Sequence, residues 1–371
     1  MQKNSESQKC YTRTSTMLLV GAFPPPVHGM ALINKGMYEY LANKTITHKI
    51  DIAPPPEAVW LKSTRRFMSV LKGAYLALIS STKWDVLYIG LSGGWGQFYE
   101  MVFVALARVL RKDIYLHHHS YAYINKTKLH FWLMSHIAGR SCTHICLSDG
   151  MCLKLAARYT KIKVAYALSN VAFISPPKKL RRLEREKLKI GFLSNISFEK
   201  GIKIFFETLD LFRSEGIEFE AVIAGPIGNN EVQRFIDDNT KCGGDICYLG
   251  PVYGDQKENF LNEIDVLLFP TIYENEAEPL TIYECYSYGV PVISLSRGSI
   301  PEIMSDYPAF CISIPSSFPE ESKILIKHWV EVSNAMDAAS SLVKTTFSNQ
   351  RHKARENLKI ISSDMIRARD Q

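Results

Sequence analysis

Apolar runs of about four to eight residues recur along nearly the whole chain, separated by longer stretches where apolar positions return every three or four residues. The short runs predict buried strands and the longer stretches predict amphipathic helices packed on them. In the first half the strands are predicted at residues 17–23, 48–52, 86–90, 114–118, 144–147 and 163–168. In the second half they fall at 189–193, 220–224, 245–249, 266–269, 291–295 and 309–312. Repeated strand–helix–strand units make an α/β protein with parallel, doubly wound sheets. A Pro-rich and then charged stretch, Ile174-Ser-Pro-Pro-Lys-Lys-Leu-Arg-Arg, separates the two sets and reads as a linker. The chain therefore divides into a Rossmann-like domain over residues 1–173, a linker over 174–188 and a second Rossmann-like domain over 189–349. Facing each other, two such domains place strand C-terminal ends, and the ligand, in the cleft between them.

A length of 371 residues fits two domains. No stretch reaches the ~18 consecutive apolar residues of a membrane span, and the richest, 101–110, is broken by Arg108. The polar first sixteen residues lead into a short apolar run and three prolines, which is no secretory signal. The eight cysteines form no C-x-x-C pair and sit mostly in apolar stretches. They read as reduced core residues of a cytoplasmic protein.

Charge changes the picture more than composition does. Residues 1–189 carry 28 Lys and Arg against 10 Asp and Glu, whereas residues 190–371 carry 16 against 27. Such asymmetry points the first half at an anionic partner. Lys62, Arg65, Arg66 and Lys72 are interleaved with an apolar face over residues 61–79, a pattern suited to an anionic membrane surface. It equally fits a helix that packs its apolar side in the core and leaves a basic side in water. No helix-turn-helix, RNA-recognition or zinc-finger pattern occurs, so a nucleic-acid partner is not expected.

Candidate chemistry is densest in Tyr273-Glu-Asn-Glu-Ala-Glu-Pro-Leu-Thr-Ile-Tyr-Glu. The strand at 266–269 ends just before it. Pro279 suits a first helical position, leaving the N–H groups of Leu280 and Thr281 for an anion. Glu276 in the loop and Glu284 in the second helical turn can accept hydrogen bonds from ribose or sugar hydroxyls. Glu276-x7-Glu284, followed by Gly289-Val-Pro-Val and Gly298-Ser-Ile-Pro-Glu, resembles the family 4 glycosyltransferases of the retaining GT-B type.

The resemblance implies that Glu284 holds the nucleotide ribose and that Glu276 lies near the donor sugar. It makes Lys200, in Glu199-Lys-Gly-Ile, the cation for the donor diphosphate, with Asn195 standing where the family commonly has arginine. Gly29, after the first strand, corresponds to the glycine loop of the first domain, and Met30 replaces its second glycine. His119, in Tyr115-Leu-His-His-His-Ser-Tyr, corresponds to the histidine beside the donor sugar. Strand alternation puts His117 and His119 on one face and His118 on the other. Leu91-Ser-Gly-Gly-Trp-Gly, with Trp95, faces the same cleft and suits an acceptor site. Leu168-Ser-Asn-Val is similar to the family's hinge without its proline and glycine.

By the same resemblance, a helix over 350–371 crosses back onto the first domain. No Asp-x-Asp occurs, so a metal-independent reaction with no cofactor beyond a nucleotide-diphosphate sugar is expected. Retention by front-face attack follows from the family. The expected acceptor is a saccharide, anionic and membrane-embedded, such as a polyprenyl-diphosphate-linked saccharide or lipopolysaccharide core, in surface polysaccharide synthesis on the cytoplasmic face of a membrane. A soluble-acceptor transferase, a nucleotide-sugar epimerase of the same fold and a non-catalytic sugar-nucleotide-binding subunit share these features. A dinucleotide dehydrogenase does not, because no G-x-G-x-x-G follows any strand.

Overall fold

The computed structural model describes residues 14–25, 28–53, 59–177, 187–240 and 244–367, with backbone only at 59–63. Six strands build the first sheet: β1 Met17–Gly21, β2 Thr47–Asp51, β3 Val86–Leu91, β4 Asp113–His118, β5 Thr143–Cys146 and β6 Val164–Ala167. Six more build the second: β7 Leu188–Leu193, β8 Phe219–Ala224, β9 Ile246–Tyr248, β10 Val266–Phe269, β11 Val292–Leu295 and β12 Cys311–Ile312. The orders are β2-β1-β3-β4-β5-β6 and β12-β11-β10-β7-β8-β9. All pairings between these strands are parallel, with registers such as Val20 opposite Ile89 and Phe192 opposite Ile223. Every residue of β3 and β10 is buried, as expected when helices cover both faces of a sheet. Each of the twelve expected strands is present, with ends that differ by a few residues.

Two expectations change. The C-terminal helix begins at Ala335, not at 350, and runs 32 residues to Ile366. Its first part packs on the second domain, where Thr346 donates to Asp306 at 2.7 Å and Gln350 to the Ile303 carbonyl at 2.9 Å. Its second part packs on the first domain. Arg351 donates to the Ile174 carbonyl (2.7 Å), Asn357 to the Ala167 carbonyl (2.9 Å), and Tyr115 to Asp364 (2.8 Å). The cysteines are less uniform than expected: Cys142, Cys146 and Cys285 are buried, but Cys247 is exposed on the edge strand β9. Cys10, Cys242 and linker residues 178–186 lie outside the described residues. Among the described residues, no helix is long and apolar enough to cross a membrane.

Candidate active site

A cavity of about 680 Å³ opens between the two sheets, lined by residues of both domains. On the second-domain side, β10 runs into a loop that turns at Pro279 into a helix, Leu280–Tyr288. Pro279 is the N-cap of that helix rather than its first residue. Its ψ of 123° keeps it extended, and its carbonyl receives the N–H of Ile282 at 3.3 Å. The N–H groups of Leu280 and Thr281 precede the first intrahelical bond, so the helix itself offers them no acceptor, and both residues line the cavity. Glu284 follows one turn later.

Lys200 reaches the same loop because Gly201 adopts φ +86°, where a side chain would collide with the Pro270 carbonyl at the end of β10. Ile272 N–H donates to the Glu199 carbonyl at 2.9 Å and fixes the approach. Lys200 Nζ lies 2.5 Å from Glu276 Oε2, which also accepts from Thr271 Oγ1 at 3.0 Å. Glu284 is paired with Lys257, 2.6 Å away on the helix Asp255–Glu263. Gly298 sets the turn after β11: at φ +53° a Cβ there would strike the carbonyls of Glu276 and Ala277. The turn thus presses against the Glu276 loop from behind, and Ser299 N–H donates to the Ala277 carbonyl at 2.9 Å.

The first-domain wall is of another kind. His28 caps the helix Gly29–Ala42, its Nδ1 accepting from Ala31 N–H at 3.3 Å. Gly29 follows, facing Leu280 across the cleft; a Cβ on it would come no closer to Leu280 than 3.8 Å. His119 lies beyond the end of β4, and burial together with the neighbouring His28 pushes its imidazole down to about 3. It is therefore neutral at physiological pH. Its ring lies 4.1 Å from that of His117, while His118 on the opposite face hydrogen-bonds Tyr123 and His144, both at 2.9 Å. Gly93 and Gly94 complete this wall.

The structure thus gathers Gly29, His119, Asn195, Lys200, Glu276, Leu280, Thr281 and Glu284 around one cavity. Trp95, Arg65, Arg66 and Lys72 do not line it. Trp95 stands outside, 81% exposed. The other three belong to the outer helix Val59–Ile79, where the side chain of Lys62 lies outside the described residues.

Sequence reasoning missed four cavity-lining groups. Lys257 lies in a helix without any motif. Ser194 Oγ is buried with no hydrogen-bond partner among the described residues, as are Asn170 Oδ1 and His119 Nε2. Three orphaned polar atoms around one cavity, contributed by both domains, are what a polar ligand satisfies. Glu278 is the fourth, and it is held from both domains. Its Oε2 accepts from Asn170 N–H at 2.6 Å, its carbonyl from Asn170 Nδ2 at 3.1 Å, and its Oε1 from Tyr283 at 2.9 Å. Burial pushes this carboxyl up to about 7 against those hydrogen bonds.

Further contacts hold the domains together around the cleft. Ser148 donates to Glu302 at 2.7 Å, Tyr121 meets Ser299 at 3.1 Å, and Asn125 donates to the Glu274 carbonyl at 2.7 Å.

Residues 177–353 match the glycosyl transferases group 1 family. The chain is 27% identical over 154 residues to an uncharacterized 41.2 kDa protein in the cps region of Klebsiella pneumoniae. That alignment covers 39% of each chain. It is 28% identical over 134 residues to the amylovoran biosynthesis glycosyltransferase AmsK of Erwinia amylovora, covering 34% of this chain and 32% of the relative. The match thus spans well under half the length of either curated relative. Among solved structures, Anabaena HepE in complex with UDP-glucose superposes with a TM-score of 0.69 at 12% identity, covering 94% of this chain and 99% of HepE. The fold is GT-B.

Proposed function

We propose that this chain is a retaining glycosyltransferase that moves a hexosyl group from a nucleotide-diphosphate sugar to a lipid-linked saccharide acceptor in surface polysaccharide synthesis. The observation that carries the reading is the cleft wall where Lys200, Glu276, the helix start at Leu280 and Glu284 converge on one cavity. The family match over the second domain and the relative from amylovoran biosynthesis support it.

Lys200 and Glu276 neutralise each other across the cleft wall. A donor diphosphate would draw Lys200 away, and the helix N-terminus adds its partial positive charge. Glu276, once released, accepts from a sugar hydroxyl. Glu284, held by Lys257, accepts from the ribose. His119, neutral, offers the sugar one donor and one acceptor. In the transfer, the acceptor oxygen bonds to the anomeric carbon as the bond from that carbon to the phosphate oxygen breaks. The acceptor's proton passes to the departing diphosphate on the same face. Lys200 and the amides of Leu280 and Thr281 take up the charge that develops there. The chemistry needs no divalent cation, in keeping with the missing Asp-x-Asp.

The test is thermal stability with UDP, GDP and ADP in turn, each in EDTA. A ligand at 100 times its Kd adds about 2.7 kcal/mol of stability. A shift from one nucleotide supports metal-free donor binding and names the base. No shift from any, with or without added Mg²⁺, overturns the reading. An inverted product anomer, read by NMR, overturns front-face attack.

A further inference from the structure

Three helices lie side by side on one side of the first sheet: Val59–Ile79, Gln97–Val109 and Leu129–Ala138, the second packed between the other two. Their inner sides fill the core with Val70, Ala77, Phe103, Phe131 and Met134. Their outer sides are apolar as well. Phe67, Leu71, Tyr75 and Leu78 recur at helical spacing along the outside of the first helix and are all exposed. Phe98 and Val102 extend this surface on the second helix, and Leu129 and Trp132 on the third. A helix facing water on one side normally keeps that side polar, and an apolar face of this extent marks an interaction surface.

Charge selects the occupant. The three helices carry Lys62, Arg65, Arg66, Lys72 and Arg108 against one acid, Glu100, and Glu100 is buried, its carboxylate accepting the Ser92 N–H. A second copy placed on this face about a two-fold axis would set its basic residues against their own kind. An anionic leaflet complements both the charge and the apolar stripes.

The loop from β3 to the second helix supplies the link to the cleft. Gly93 and Gly94 line the cavity, while Trp95 next to them projects outward and stacks on Phe98 at 5.8 Å. An exposed indole is suited to the headgroup level of a bilayer.

We propose that this three-helix face seats the protein on an anionic lipid bilayer, with Trp95 at the headgroup level beside the cleft mouth. Docking stands on the surface alone; only its use, presenting a membrane-held acceptor to the cleft, rests on the proposed reaction.

The test is co-sedimentation of the full chain with phosphatidylcholine vesicles and with vesicles containing added phosphatidylglycerol, at low and high salt. Binding to the anionic vesicles that weakens with salt, and drops at least tenfold in Leu71→Glu/Tyr75→Glu, is the expected result. A smaller drop is expected for Trp95→Ala. Nucleotide-induced thermal shifts measured on the same variants should equal those of the parent, which shows that the cleft is intact. If the parent shows no such shift but binds vesicles, the reaction fails and the docking stands. No binding to either vesicle overturns the docking, as does binding that the double variant retains. Concentration-dependent dimers, abolished by the double variant in the absence of vesicle binding, would assign the face to a second copy.

Discussion

The two walls of the cleft differ in how they hold polar groups. The second-domain wall keeps formal charges in pairs, Lys200 with Glu276 and Lys257 with Glu284, each within 2.6 Å. The first-domain wall keeps its titratable groups uncharged: burial lowers His28, and His119 is pushed down to about 3. A paired charge is a stored one, released when a ligand of the right sign competes for it. A neutral imidazole has no charge to release and discriminates by hydrogen-bond geometry. On the proposed reading, one wall takes the phosphate and ribose and the other takes the sugar.

The sharpest way to break this contrast is at Lys200. Lys200→Ala should lower kcat roughly 10²–10³-fold, the effect of deleting a donor aimed at developing charge. In a double-mutant cycle with Glu276→Ala the two effects should be non-additive, because the two side chains are ion-paired with each other. Steady-state kinetics on all four proteins checks both. Glu284→Ala should raise the Kd for the nucleotide about tenfold or more, since a hydrogen bond to a charged group contributes about 1.5–3 kcal/mol. Calorimetric titration with the free nucleotide measures this directly. His119→Ala should lower kcat/KM for the intact donor only about fivefold, as for one neutral hydrogen bond. It should leave free-nucleotide affinity unchanged, and equal losses for nucleotide and donor would erase the division between the walls.

The remaining effect concerns pH and stability rather than turnover. Glu278 is raised to about 7 in the fold, above its unfolded value, so the folded state holds the extra proton between the two. Stability should therefore fall as pH rises from about 4.3 to 7, then level off. In Glu278→Gln that part of the slope should vanish in denaturant titrations across the range. Glu100, also raised to about 7 by burial, contributes a slope of the same sign that this variant leaves in place.

The strands were legible because strands buried on both faces are nearly continuous apolar runs, as in Val266-Leu-Leu-Phe. Glu276, Lys200 and Glu284 were legible because each sits at a fixed offset from a strand end or a helix start. The long helix was only half legible: residues 335–349 contain Ser340, Ser341, Thr345, Thr346 and Ser348, weak helix formers that blur an otherwise regular buried stripe of Ala339, Val343 and Phe347. Lys257 and Glu278 were out of reach for a different reason. Lys257 pairs with a residue 27 positions away and nothing local marks it, while Glu278, though inside the acidic loop, takes the N–H of Asn170 from 108 positions away. Asn170 was visible only as a hinge, not as the donor that ties the hinge to the Glu276 loop.

The helix Ala335–Ile366 has a consequence for the order in which the molecule is completed. At about 1.5 Å per residue, its 32 residues make a rod of roughly 48 Å that serves two domains in turn. Its last turns receive Ser15 and Tyr115, both in the first third of the chain. On the ribosome the first domain therefore emerges first, yet waits with one flank open while the whole second domain is synthesised. The two domains then gain that shared support together, so the cleft cannot finish forming one wall at a time.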